Sequence, residues 1–136
     1  MTKETTRNPD YSNSMAGHLG ITFLPTEDCT TVYAEMPVDH RTSQPFGMLN
    51  GGASLALAEI VAGHGSLMMC GEGEYPCGMQ VSGNHVAAVA VGNTVKATGR
   101  LLHRGSSSHV WNVDITTPDG KLVSTVRVTN FIFKKR

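Results

Sequence analysis

Between Arg41 and Glu72 the chain carries one formal charge, the carboxylate of Glu59, set in the run QPFGMLNGGASLALAEIVAGHGSLMMC that spans residues 44–70. The residues around it are Ala, Leu, Val, Ile and Gly without a polar stripe, the pattern of a helix buried on every side. An ionised carboxylate in such surroundings is costly unless it is paired or used. Burial among Leu55, Ala58 and Ala62 would favour the neutral form and make the anion a stronger base. Ahead of it, Asn50 is a good helix cap, and Gly51 and Gly52 let other groups approach the first-turn amides. Such amides, with the helix dipole behind them, suit negative charge developing on an oxygen. The plainer readings stand beside these. Glu59 is then a structural carboxylate paired across a subunit interface, Asn50 only a cap, and the glycine pair a close helix contact at a dimer axis.

The rest of the composition narrows the class. At 136 residues the chain reads as one domain, residues 1–136, long enough to bury a core. Eleven basic and eleven acidic residues cancel, which argues against a nucleic-acid binder. Cys29, Cys70 and Cys77 are odd in number and lack the spacing of zinc or redox sites, so they read as free thiols in a reducing, cytoplasmic setting with no metal. Residues 1–14 are polar and have no apolar signal-peptide core; they read as a loose arm or a short helix packing on a partner. Residues 53–70 approach the length of a membrane span, but Glu59, Gly63, His64, Gly65 and Ser66 and the strand-rich remainder argue against a membrane protein.

The elements that must position these residues follow from periodicity. Residues 19–24 read as a short strand, and 30–36 as a half-buried one with Val32, Ala34 and Met36 on one face. Residues 39–45 form a polar loop, and a helix runs from the Asn50 cap to about Cys70. Gly71, Gly73 and Pro76 break it. A strand over 79–91 with a bulge at Gly83 is expected next, then alternating strands over 94–100 and 109–115. Pro118-Asp119-Gly120 turns the chain into a last strand over 122–133, followed by Lys134-Lys135-Arg136 as a solubilising tail. One apolar helix among six strands has to be wrapped by the sheet, and the open sheet edges invite dimerisation.

Three stretches, Gln44-Pro45-Phe46-Gly47, Gly51-Gly52-Ala53-Ser54 and Leu57-Ala58-Glu59, resemble the hotdog-fold acyl-CoA thioesterases. The nearest subgroup acts on phenylacetyl-, hydroxybenzoyl- and dihydroxynaphthoyl-CoA. Asn84-His85, and His103-Arg104-Gly105-Ser106 leading into Val110-Trp111, add support. The resemblance implies an α+β fold in which an antiparallel sheet wraps one long helix, and dimers that pair into tetramers with active sites across the dimer interface. It implies hydrolysis of an acyl-CoA, with an aromatic or hydroxyaromatic acyl group favoured and no cofactor beyond the coenzyme A of the substrate. Glu59 would be the general base or nucleophile, Gln44 would contact the thioester, and the Gly51 amide, beside Asn50, would polarise the carbonyl. Gly52, Gly63, His64 and His85 would line the acyl or pantetheine channel, and His103, Arg104, Gly105 and Ser106 would meet coenzyme A, where a cation and backbone amides suit phosphate.

Two positions depart from the family pattern. Asn50 stands where a His is common, and it caps and donates but cannot titrate near neutral pH. Gly63 stands where Ser or Thr is common. Taken as residues alone, Gln44 also reads as a loop residue bonded to backbone, His64 and His85 as satisfied structural histidines, and residues 103–106 as a solvated turn. Two other functions remain alongside: a thioesterase acting on an acyl carrier protein, favoured by an exposed basic patch at Arg100 and Arg104, and a protein that binds an acyl-CoA or another apolar ligand without turnover.

Overall fold

The computed structural model describes residues 9–135. The arm expected at residues 1–14 therefore lies partly outside the described residues, as does Arg136 of the tail. The remainder of the arm is fastened down. The Tyr11 hydroxyl meets His64 Nδ1 at 2.8 Å, and Ser14 caps a short helix, α1 (Met15–His18). The strand expected at 19–24 starts later, because this helix, whose Gly17 amide donates to the Ser14 hydroxyl, closes on Leu19, whose amide bonds Met15 O. Gly20, at φ 77°, then turns the chain, leaving β1 as Thr22–Leu24.

The other elements are β2 (Thr31–Pro37), α2 (Gly51–Met69), β3 (Glu74–His85), β4 (Thr94–Arg104), β5 (Ser108–Thr116) and β6 (Leu122–Lys134). The strands form one antiparallel sheet in the order β1-β2-β4-β5-β6-β3, with β1 and β3 at its edges. The alternation in β2 and β5 places Val32, Ala34, Met36, Trp111, Val113 and Ile115 on one face. Against that face α2 packs Leu57, Ala58, Val61 and Ala62, all with no exposure. Gly65 completes the contact, since a Cβ there would sit 2.5 Å from the Trp111 ring.

Two expectations need correction. First, α2 is not buried on every side by its own chain: Gly52 and Glu59 are exposed, and Leu55, Ala56, Ile60 and Gly63 are only half-buried. One sheet covers one flank of a helix, so an all-apolar helix keeps a second flank uncovered. Second, β3 begins at Glu74, inside the stretch expected to be a break, and ends at His85 rather than near Val91. Pro76 is tolerated because β3 is an edge strand, paired only with β6, and needs no amide on its open side. The irregularity of β3 lies between Gly78 and Gln80, not at Gly83. Beyond His85 the chain turns back to the helix entrance, where the Leu49 amide bonds Val89 O and the Val91 amide bonds Gly47 O.

Candidate active site

The residues singled out by type fall into separate groups along α2. At its start, the Asn50 side chain accepts from the Gly52 amide at 2.8 Å, and the Asn50 carbonyl receives the amides of Ala53 and Ser54. Asn50 is thus the N-cap, and the Gly51 amide is left without an acceptor among the described residues. Gln44 sits in the loop that feeds this cap. Its amide bonds Met48 O at 2.8 Å, its side-chain oxygen accepts from the Phe46 amide, and Ser43 bridges to Leu49. His85, at the end of β3, is held by a 2.7 Å bond between its Nδ1 and the hydroxyl of buried Ser124. That bond turns Nε2 toward the helix start, where a Cβ on Gly51 would lie only 2.6 Å from it. Leu49, Gly51, Ser54, His85 and Ser124 line a cavity of about 90 Å³. On the other flank of the cap, Met15, Arg41, Asn50, Gly52 and Ala56 border a groove of about 280 Å³. Arg41 is occupied there by Asp39 at 2.7 Å, and the same guanidinium holds Asp39 down to about 2.

Glu59 lies elsewhere. Eight residues past Gly51, it is about 12 Å further along the helix axis. It makes no hydrogen bond or ion pair with any described residue, and its carboxylate rests against the backbone of β3 at Gly78. Gly63 follows one turn later on the same side, and a Cβ there would meet nothing within 4 Å. His64 is rotated about 140° from Glu59 around the helix. It stacks on Phe23 at 4.0 Å between ring centroids, bonds Tyr11, and is held below the ordinary histidine value by burial. Gly63 therefore stays with Glu59 and His64 does not.

The coenzyme A candidates form a third group, at the far end of α2. His103 and Arg104 close β4, and Gly105 and Ser106 open the turn to β5, with the Gly105 amide on Ser108 O at 2.8 Å. Arg104 Nη2 donates to Met69 O at 3.2 Å, a cation at the negative end of the helix. A register shift between Leu101 and His103 decides where these side chains face. Without it, Arg100 and Arg104 would share a face; with it, Arg100 points away from the helix and Arg104 toward it. The two arginines do not form one basic patch.

Sequence reasoning missed Gly78 and Ser124. Neither carries a local signal, because each matters only through a neighbour brought in by tertiary packing. Among the described residues no group of three His, Cys, Asp or Glu side chains could hold a metal.

Comparisons with known proteins identify the family and the fold. The Thioesterase superfamily model matches residues 46–124. A 1,4-dihydroxy-2-naphthoyl-CoA hydrolase of Escherichia coli is 41% identical over 120 residues, which is 88% of this chain and 86% of the relative. The crystal structure of a thioesterase from Haemophilus influenzae superposes with a TM-score of 0.86 at 37% identity, covering 91% of this chain and 85% of that one. A thioesterase from Staphylococcus aureus, solved as separate alanine variants of a glutamine and a glutamate, is 33% identical, with TM-scores of 0.82 and 0.83 over 89% of this chain and 98% or 99% of the other. Its two replaced residues are as far apart in sequence as Gln44 and Glu59 are here. The six-stranded sheet wrapped on one apolar helix, and a family match across more than half of the chain, place this protein in the Thioesterase superfamily, as a hotdog-fold hydrolase of thioesters.

Proposed function

We propose that the protein hydrolyses an acyl-CoA with an aromatic or hydroxyaromatic acyl group, at a site shared by two copies of the chain. The observation that carries this reading is the separation of the two halves of the chemistry. Thioester cleavage needs a base or nucleophile and an oxyanion donor within about 3 Å of one reacting group. The unpaired Gly51 amide and the exposed Glu59 carboxylate are each suited to one of these roles, yet within a chain they stand about 12 Å apart along α2. A second copy, packed on the uncovered flank of α2 and the open edge of β3, would bring the Glu59 of one copy to the Gln44, Asn50 and Gly51 of the other. Pairing of such dimers into a tetramer belongs to the same reading.

In that arrangement the thioester carbonyl oxygen accepts from the Gly51 amide, with the helix dipole behind it. Gln44 orients the thioester. Glu59 either attacks the carbonyl carbon or takes a proton from the attacking water. The C–S bond breaks, the acyl group leaves as the acid with the oxygen of water, and a proton goes to the departing thiolate of coenzyme A. One oxyanion donor is worth roughly 10²–10³ in rate and a general base about 10²–10⁴. Asn50 contributes the cap that sets the Gly51 amide, not a titrating group. The phosphates of coenzyme A are assigned to the region of residues 103–106, and the reaction needs no further cofactor in a cytoplasmic setting. The aromatic preference is supported by the naphthoyl-CoA hydrolase among the relatives.

The test is thiol release from a panel of aromatic and aliphatic acyl-CoAs, with the favoured acyl group also presented on an acyl carrier protein. We expect the aromatic CoA esters to turn over fastest and Glu59→Gln to lose about 10³-fold or more while staying folded. Faster turnover of the carrier-bound acyl group would replace coenzyme A by a carrier protein as the substrate. Tight binding of an acyl-CoA with no thiol released from any member of the panel would make this a binding protein.

A further inference from the structure

Glu59 is exposed within its own chain and has no hydrogen-bonding partner among the described residues. Its carboxylate lies against a glycine of the edge strand, Gly78. A Cβ built on Gly78 would overlap Glu59 Oε1 and lie 3.1 Å from Cδ and 3.4 Å from Cγ. The strand backbone does not require glycine there, since Gly78 is not among the residues with positive φ. The core does not require it either. A Cβ on Gly65 would strike the Trp111 ring and one on Gly99 would lie 2.9 Å from Val61, whereas the three atoms nearest a Cβ on Gly78 all belong to the Glu59 side chain. A glycine inside a strand weakens it and calls for a reason. The register shift between Gly78 and Gln80 falls at the same point, and such bulges re-aim the residues beside them.

We propose that Gly78 is a positioning residue for the thioesterase reaction: its missing side chain is the seat of the Glu59 carboxylate. An alanine at this position leaves the sheet intact and pushes the carboxylate off its place. Displacement by about 1 Å can cost on the order of 10² in rate even when binding survives. The inference rests on Glu59 being the reacting acid of the proposed site.

The experiment measures kcat and KM of the intact oligomer with the acyl-CoA that the wild type hydrolyses best, for Gly78→Ala, Glu59→Asp, the double variant and Glu59→Gln. Gly78→Ala is expected to keep its melting temperature, its oligomeric state and a KM within about threefold, and to lose about 10- to 100-fold in kcat. Glu59→Asp withdraws the carboxylate by one methylene and should also be slow. The double variant should be less impaired than the product of the two single losses, because the shorter acid leaves room for the new methyl group. A structural role for Gly78 would not produce that coupling. Wild-type kcat in Gly78→Ala, losses that simply multiply, or an unfolded Gly78→Ala would each overturn the proposal. Glu59→Gln separates the two failures. If it is inactive while Gly78→Ala is unimpaired, Glu59 keeps its role and only the seat is wrong; if it is fully active, the reading of Glu59 fails first.

Discussion

The hydroxyl of Ser66, fully buried on α2, accepts from Trp111 Nε1 at 2.9 Å and Asn130 Nδ2 at 3.0 Å. Those two donors fill its lone pairs, so its proton must go to His109 Nδ1, 2.8 Å away, and His109 carries its own proton on Nε2. Protonating His109 would set a donor against a donor. Burial first, and then the charge of Arg104, hold this histidine below its ordinary value, with Glu74 opposing and His103 reinforcing the shift. The sign of the linkage follows. A depressed histidine binds fewer protons folded than unfolded, so its contribution to stability is fully present above the unfolded value near about 6.5 and is lost as pH falls through the lower folded value. His64, depressed by burial, adds to the same loss. Urea unfolding should therefore show a lower midpoint at pH 5.5 than at pH 7.5. His109→Gln should flatten part of that difference, and a pH-independent midpoint in the wild type would contradict the tautomer assigned here. The sequence shows His109 and Trp111 on the inward face of a strand. It does not show that Ser66, dozens of residues away, is the group they share.

At the scale of elements, α2 illustrates how one residue type takes opposite roles. Gly63 and Gly65 are two positions apart in the same helix. A Cβ on Gly65 would lie 2.5 Å from Trp111 and 2.8 Å from Val32, both fixed in the core, while one on Gly63 would meet open space. Gly65→Ala should cost about 1–3 kcal/mol by overpacking. Gly63→Ala should stabilise by about 0.5–1 kcal/mol, the helix penalty of glycine being removed. Chemical denaturation of the two variants checks both signs. The long helix itself was legible, since the Asn50 cap, the apolar run and the glycines after it agree. The strand bounds were less so. Pro76 reads as a break until β3 is known to be an edge, and the parity of Arg100 and Arg104 reads as a shared face until the β4 bulge is seen.

At the scale of the whole molecule, the uncovered flank of α2 and the open edge of β3 lie on the side that carries Glu59. Met79 and Val86 on or just after β3 are 61% and 59% exposed. If the site is shared by two copies, activity is a property of the oligomer. Specific activity should fall as the protein is diluted through the concentration at which sedimentation shows dissociation. A dissociated chain with undiminished activity would refute the shared site. Equimolar mixing of Glu59→Gln with a variant altered only in the Gly51 half should also restore part of the activity, since some mixed dimers hold one intact site.

The sequence by itself determined the family and the sheet-wrapped helix, and it singled out Glu59 as the acid to test, because these depend on local signals. A lone charge in an apolar run, a cap followed by two glycines, and strict alternation in β2 and β5 can each be read within a few residues. The tertiary structure alone decided that Glu59 is exposed within its own chain and rests on Gly78, that Ser124 aims His85 at Gly51, and that Glu59 faces β3 while Gly51 faces His85. Those facts depend on which strand forms the sheet edge, on bulges that reverse side-chain parity, and on one sheet covering only one flank of a helix.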